Sequence, residues 1–219
     1  MTKEIEFNNS QKKFDIFVVD SDTALYQAAR MVEEDYVVIK SKLTDFEMEF
    51  KNKTTFQGTA RKGDVGGELK KWCDFLGISR NREDFEITQH VRLKSDIDNH
   101  LEEAEKQFAY FVKGIKDLNL ADDYKLCLGG PSNFRYEVAK ILPYKGERKE
   151  KPIVFADLKE KILAQYKSKV ILSDNCEADD TLGILGAQNQ AYFRKHGKYK
   201  YLLGYIDKDI KQVWGPTLY

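Results

Sequence analysis

The chain has 219 residues, 42% hydrophobic and 33% charged, enough for one large globular domain or a domain carrying an insertion. Lys and Arg total 36, as do Asp and Glu, a balance that leaves nucleic acid open as a partner because the distribution of charge matters more than its sum. No apolar run reaches the ~18–20 residues of a membrane helix, Met1 to Lys13 lacks the apolar stretch of a signal peptide, and the isolated Cys73, Cys127 and Cys176 argue against a disulfide framework or a thiolate zinc site, so a cytoplasmic protein with no membrane partner is expected.

Phe14 to Val19 (FDIFVV) is a short apolar run closing on Asp20, the pattern of a buried strand. Ser21, Asp22 and Thr23 can cap a helix that begins near Thr23 and runs through LYQAARMVEE to Glu34. Residues 36–40 (YVVIK) and 45–51 (DFEMEFK) alternate or are β-branched and predict a pair of strands. From Thr54 to Gly67 the chain is polar and rich in glycine, and reads as loop. Leu69 to Leu76 predicts a helix stopping at Gly77. Residues 98–119 predict a long amphipathic helix, with Leu101, Ala104, Phe108, Phe111 and Ile115 near helical spacing. Tyr124 to Leu128 reads as a second buried strand, ending on Gly129-Gly130. Phe155 to Tyr166 reads as a helix and Lys169 to Leu172 as a third strand. Ala178 to His196 predicts a helix stopped by Gly197, and Lys200 to Ile206 a fourth strand running into Asp207.

This alternation predicts an α/β fold, a central mostly parallel sheet covered by helices on both faces. Ligands bind such sheets at the carboxyl ends of the strands, where Asp20 and Asp207 both fall. Two acidic groups, Glu177-Ala-Asp179-Asp180 and Asp207-Lys-Asp209, stand about one helix apart. Glu177 and Asp180 share a face of the first helical turn, while Asp179 points elsewhere. Ordinary capping would also place acids there, and a turn after a strand tolerates Asp. Adding Asp20 brings three acidic clusters to compatible positions, which favours a metal site. Crowded carboxylates repel unless cations neutralise them, and oxygen-only ligands favour Mg²⁺ or Mn²⁺. Two such ions suit phosphodiester hydrolysis, and the six acids could hold them directly or through water. His90, His100 and His196 show no ligand spacing and read as surface residues.

Basic residues supply the other half. Asn133-Phe-Arg135 is followed by Pro143-Tyr144-Lys145-Gly-Glu-Arg148, then Lys149 and Lys151. Lys and Arg can neutralise phosphates and Tyr can stack on a base. A solvated charged face would look similar, but this segment follows a strand whose end should lie near the acids.

Taken together, Val19-Asp20-Ser-Asp-Thr-Ala-Leu-Tyr26, Phe134-Arg135, Tyr144-Lys-Gly-Glu-Arg148, Glu177-Ala-Asp-Asp180 and Ile206-Asp-Lys-Asp209 resemble the 5′→3′ exonuclease and flap endonuclease family, its bacteriophage branch above all. The family includes the N-terminal nuclease domain of bacterial DNA polymerase I. The likeness covers residues 14–30 and about 123–215; residues 31–122 are expected to hold an insertion, a β-hairpin with a helix. It implies a single PIN-like catalytic domain over residues 1–219, acting on DNA with 5′ ends or flaps, or on RNA–DNA hybrids, in the host cytoplasm if the chain is phage-encoded. Asp20, Glu177, Asp179, Asp180, Asp207 and Asp209 match the family's metal-binding acids. Tyr144, Lys145 and Arg148 match its arch, where Lys and Arg approach the scissile phosphate, and Arg135 matches a substrate-backbone position.

The sequence departs from the family pattern twice. Leu128-Gly129-Gly130 stands where another metal-binding Asp is common, and the helix–turn–helix region that usually follows Asp-Lys-Asp is absent up to Tyr219. A fragment, a protein partner supplying duplex binding, or a different grip on the substrate would each account for the second. Two other readings keep the same acidic rim: a structure-specific nucleic-acid-binding or assembly protein with weak or no catalysis, and a PIN-type ribonuclease. The arch motif favours the flap-nuclease branch.

Overall fold

The computed structural model describes residues 14–59, 67–77, 82–139, 150–205, 213 and 215–218. In chain order its elements are β1 (Phe14–Asp20), α1 (Asp22–Arg30), β2 (Glu33–Ser41), β3 (Glu47–Phe50), α2 (Lys53–Gln57), α3 (Gly67–Leu76), β4 (Phe85–Leu93) and α4 (His100–Asp117), then β5 (Ala121–Leu128), α5 (Phe134–Val138), α6 (Phe155–Gln165), β6 (Val170–Leu172), α7 (Ala178–His196), β7 (Tyr201–Gly204) and β8 (Thr217–Leu218). They form two compact units, Met1–Arg30 with Asn99–Tyr219, and Met31–Asp98.

The first unit is an α/β layer structure around a five-stranded sheet in the order β6-β5-β1-β7-β8, every neighbouring pair parallel. β1 occupies the centre because its apolar run can be buried on both faces. Val18 and Ile16 join Cys127 and Leu203 under Ala178 and Leu182 of α7. Phe17 and Val19 alternate to the opposite face, where α1, α4 and α6 pack on one another. Gly204 pairs with Val19, and a Cβ there would fall 2.7 Å from the Phe17 ring, so glycine lets the rings of that face close over β7. α4 buries Ala104, Phe108, Val112 and Ile115 along one stripe. Its start is capped by Asn99, whose Oδ1 accepts from Glu102 N–H at 3.1 Å.

From β1 the chain winds outward through β5 to β6. The long helix α7 then returns it to β7 on the other side of β1. The winding therefore reverses between β1 and β7, and such reversals open a crevice at the carboxyl edge of the sheet. Asp20, the last residue of β1, stands on that edge. The return is fastened by Asn189, fully buried in α7. Its Oδ1 accepts from Tyr201 N–H at 2.8 Å and Lys200 N–H at 3.2 Å, while its Nδ2 donates to Tyr201 O at 2.8 Å.

The second unit is a three-stranded antiparallel sheet, β3-β2-β4, with α2 and α3. Val37, Ile39, Phe50, Phe56, Leu69, Trp72, Cys73 and Phe85 form its core. Trp72 meets Phe46, Phe50, Phe56 and Phe85 at ring-centroid distances of 4.1–6.5 Å. On β2 and β4 Tyr36 stacks on His90 at 5.3 Å, and Arg92 lies over Tyr36 while pairing with Glu34 and Glu49.

Three local expectations are corrected. The helix expected through Glu34 ends at Arg30, and Glu33 already begins β2. β2 pairs residue by residue with β4 from Glu33↔Leu93 to Ser41↔Phe85, and this nonlocal pairing outweighs the local helical tendency of Met31 to Glu34. β4 itself was not expected: it is an edge strand with most side chains exposed, so no buried alternation marks it. Within the segment read as loop, Asn52 caps the short helix α2. α4 and β5 belong to the first unit.

Candidate metal centre at the carboxyl edge of the sheet

Asp20 is only 8% exposed and its Oδ1 accepts from Asp22 N–H at 3.1 Å, which turns the chain into α1. The turn is anchored to β5 through Ser21 N–H to Cys127 O at 2.9 Å, and Ser21 Oγ donates to Val19 O at 3.1 Å. The first residue of α1, Asp22, turns its carboxylate toward the end of β5. There Gly129 N–H donates to Asp22 Oδ2 at 2.9 Å, and Lys159 Nζ donates to Gly129 O at 2.6 Å. Burial holds the Asp22 carboxyl above its ordinary value. The Gly129 N–H and the charges of Lys159 and Lys151 oppose that rise, while Glu177 adds to it.

The two glycines after β5 are explained by what surrounds them. A Cβ at Gly129 would lie 2.8 Å from Asp22 Oδ2, and one at Gly130 would lie 2.0 Å from Ser173 O. The space above Gly129 is thus taken by a carboxylate from α1.

At the start of α7, Asp180 Oδ2 accepts from Glu177 N–H at 3.0 Å and Asp179 Oδ1 accepts from Asp180 N–H at 2.8 Å. The first of these belongs to a capping box between Glu177 and Asp180. Arg135 binds the Asp180 carboxylate with both terminal guanidinium nitrogens, Nη1 at 2.5 Å and Nη2 at 2.7 Å. Asn133 sets α5 for this by capping it, accepting from Arg135 N–H at 3.0 Å. Burial, reinforced by the charges of Asp180 and Glu177, holds the Asp179 carboxyl above its ordinary value, while the Asp180 N–H and Arg135 draw it down. Cys127 ties this turn to the sheet: it is the register partner of Asp20, and its Sγ donates to Ala178 O at 3.5 Å. Burial pushes its thiol up to about 12, so it packs as an inert neutral group.

Asp20, Asp22 and the first turn of α7 therefore gather around the end of β5. Arg135 lies on Asp180, and Lys151 and Lys159 act on Asp22. Tyr144, Lys145, Arg148, Lys149, Asp207 and Asp209 lie outside the described residues; β7 ends at Gly204, three positions before Asp207. Among the described residues no group of three or more His, Cys, Asp or Glu side chains is close enough to hold a metal ion. The carboxylates present offer oxygen donors only, the donor type that a hard divalent cation takes.

Sequence reasoning treated Asp22 as a capping residue and passed over Lys159. The signal for Asp22 was the Gly-Gly pair itself, because a glycine closing a buried strand marks close approach by another group; Lys159, bonded to a backbone oxygen, left none. Among the described residues no helix is long and apolar enough to cross a membrane. No protein-family profile, curated protein or solved structure gives a significant match to the chain.

Proposed function

We propose that the chain is a metal-dependent 5′→3′ exonuclease or flap endonuclease on a PIN-like fold, hydrolysing phosphodiester bonds in DNA, or in the RNA of RNA–DNA hybrids, during phage DNA replication. The observation that carries this reading is the gathering of Asp20, Asp22 and the Glu177–Asp180 turn on the carboxyl edge, beside the reversal of winding. On this reading Asp20, Asp22, Glu177, Asp179 and Asp180, with Asp207 and Asp209, hold two Mg²⁺ or Mn²⁺ ions. When bound, these would stabilise negative charge on the phosphate and the leaving oxygen. Arg135 moves from Asp180 to a backbone phosphate when the nucleic acid arrives, and Lys145 and Arg148 neutralise charge at the scissile phosphate. Tyr144 stacks on a base, while Lys149 and Lys151 hold phosphates farther along the strand.

The test is a 5′-flap duplex labelled at its 3′ end, incubated with Mg²⁺, Mn²⁺ or EDTA, beside Asp180→Asn and Asp20→Asn. Metal-dependent cleavage, lost in both variants while folding and flap binding persist, is the expected result; unchanged cleavage sinks the metal assignment. Lys145→Ala and Arg148→Ala should slow cleavage far more than they weaken duplex binding. A second reading, a structure-specific nucleic-acid binder, draws on the Asp180 carboxylate being engaged by Arg135 and on Gly129-Gly130 carrying no acid. Flap binding without cleavage under any metal would favour it.

A further inference from the structure

Next to the acidic edge lies a cavity of about 380 Å³ that neither the acids nor the arch motif accounts for, within the ~300–1,000 Å³ range of small-ligand sites. Its apolar lining includes Ile153, Phe155 and Leu163, and among the described residues Glu160 is its one acidic lining residue. Ile153 is 55% exposed although it is a large aliphatic side chain. Two cations complete the lining, Lys151 and Lys159. Lys151 Nζ stands 5.0 Å over the Phe155 ring, and Tyr26 of α1 meets the same ring at 6.4 Å. Lys159 reaches the acidic edge directly, through Gly129 O at 2.6 Å, whose own N–H holds Asp22. An apolar surface flanked by two ammonium groups complements a nucleotide, with its flat base and charged phosphates.

We infer that the Ile153–Phe155–Leu163 cavity is a subsite for one nucleotide of single-stranded nucleic acid, with the base lying on Ile153 and Leu163 and the adjoining phosphates facing Lys151 and Lys159. The inference deepens the nuclease reading and rests on it for one point, that the strand continues from the cavity onto the acids. Contact between Lys159 and Gly129 makes the subsite adjacent to the cleavage centre, so it sets which nucleotide of the strand is presented.

The experiment measures binding without turnover: anisotropy of labelled oligothymidylate in EDTA, with wild type, Ile153→Ala and Lys151→Ala, followed by oligomers carrying one abasic nucleotide moved along the strand. Ile153 is exposed and lies outside the helices, so its truncation leaves the fold intact, which thermal denaturation checks. Ile153→Ala should weaken binding roughly five- to tenfold, through the aliphatic surface it withdraws from the base. One abasic position should cause a similar loss in wild type and none further in Ile153→Ala. Lys151→Ala should lower the salt dependence of log Kd by about 0.7, one phosphate contact on a single strand. Unchanged affinity in Ile153→Ala, or no oligothymidylate binding by wild type, overturns the subsite. Pocket-dependent binding without cleavage under any metal would leave the subsite standing and remove the nuclease reading. Cleavage with pocket-independent binding would do the reverse.

Discussion

A methyl group at Gly129 would lie 2.8 Å from Asp22 Oδ2, so Gly129→Ala must displace the carboxylate or the strand end. The expected cost is about 1–3 kcal/mol of stability, the range for overpacking, together with, on the proposed nuclease reading, loss of cleavage; denaturant unfolding and the flap assay read the two separately. Asp22→Asn keeps an oxygen for the Gly129 N–H and removes the charge. Because burial raises the Asp22 carboxyl, its contribution to stability is complete below the ordinary carboxylate range of ~3.9 and is lost as pH rises through the raised folded value. Asp22→Asn should therefore raise the Tm of the metal-free protein at pH 7, and the gain should vanish by pH 3. A lower Tm at pH 7 would mean that the attraction of Lys159 and Lys151 outweighs burial. Lys169 and Asp123 form an ion pair of the opposite sort: their hydrogen bond draws the Asp123 carboxyl down. Its contribution is present above the ordinary carboxylate range and is lost as pH falls through the depressed value. Both side chains are about a third exposed, so solvent screening keeps the pair below about 1 kcal/mol.

At the scale of elements, α7 joins the acids of the carboxyl edge to the topology of the sheet. Its first turn presents Glu177, Asp179 and Asp180, and its middle fastens β7 through Asn189. Asn189→Ala leaves the backbone groups of Lys200 and Tyr201 without their side-chain partners in a buried setting. A loss of about 2–4 kcal/mol is expected from the unmade bonds and the cavity together, measurable by urea unfolding. A loss under 1 kcal/mol would show that water replaces the side chain. In the second unit Trp72 anchors the aromatic cluster, and Trp72→Ala should cost about 3–5 kcal/mol, read by hydrogen exchange in β2 and β4. The N-terminal and C-terminal ends of α7 were legible in the sequence because acids precede it and Gly197 ends it in the left-handed conformation, φ 68°. β4 was not legible, because an edge strand is held by pairing with β2 rather than by a buried pattern of its own.

For the whole molecule, the total charge balances at zero, so long-range repulsion contributes little and local environment sets the behaviour of the carboxyl edge, where burial raises Asp22 and Asp179. A cation that binds only the folded state stabilises it by mass action. At ten times its Kd, Mg²⁺ should add about 1.4 kcal/mol, and Asp20→Asn should abolish most of that gain. Thermal denaturation across a Mg²⁺ series decides it: equal shifts in wild type and variant would remove Asp20 from the binding set. Ion pairs such as Lys71–Glu68 and Arg92–Glu34 are exposed, so they should not confound the series at constant ionic strength.

The sequence by itself determined the alternation of strands and helices, the reading of Phe14–Asp20 as a buried strand and the acids at the ends of elements, because apolar periodicity and capping chemistry are local. Only the tertiary structure decided the order β6-β5-β1-β7-β8, the pairing of β2 with β4, the seating of Arg135 on Asp180 and the entry of the Asp22 carboxylate over Gly129. Each of these joins residues distant in the chain, and Gly129 and Asp22 are 107 positions apart. Their contact depends on the register of β1 against β5, which no single segment encodes.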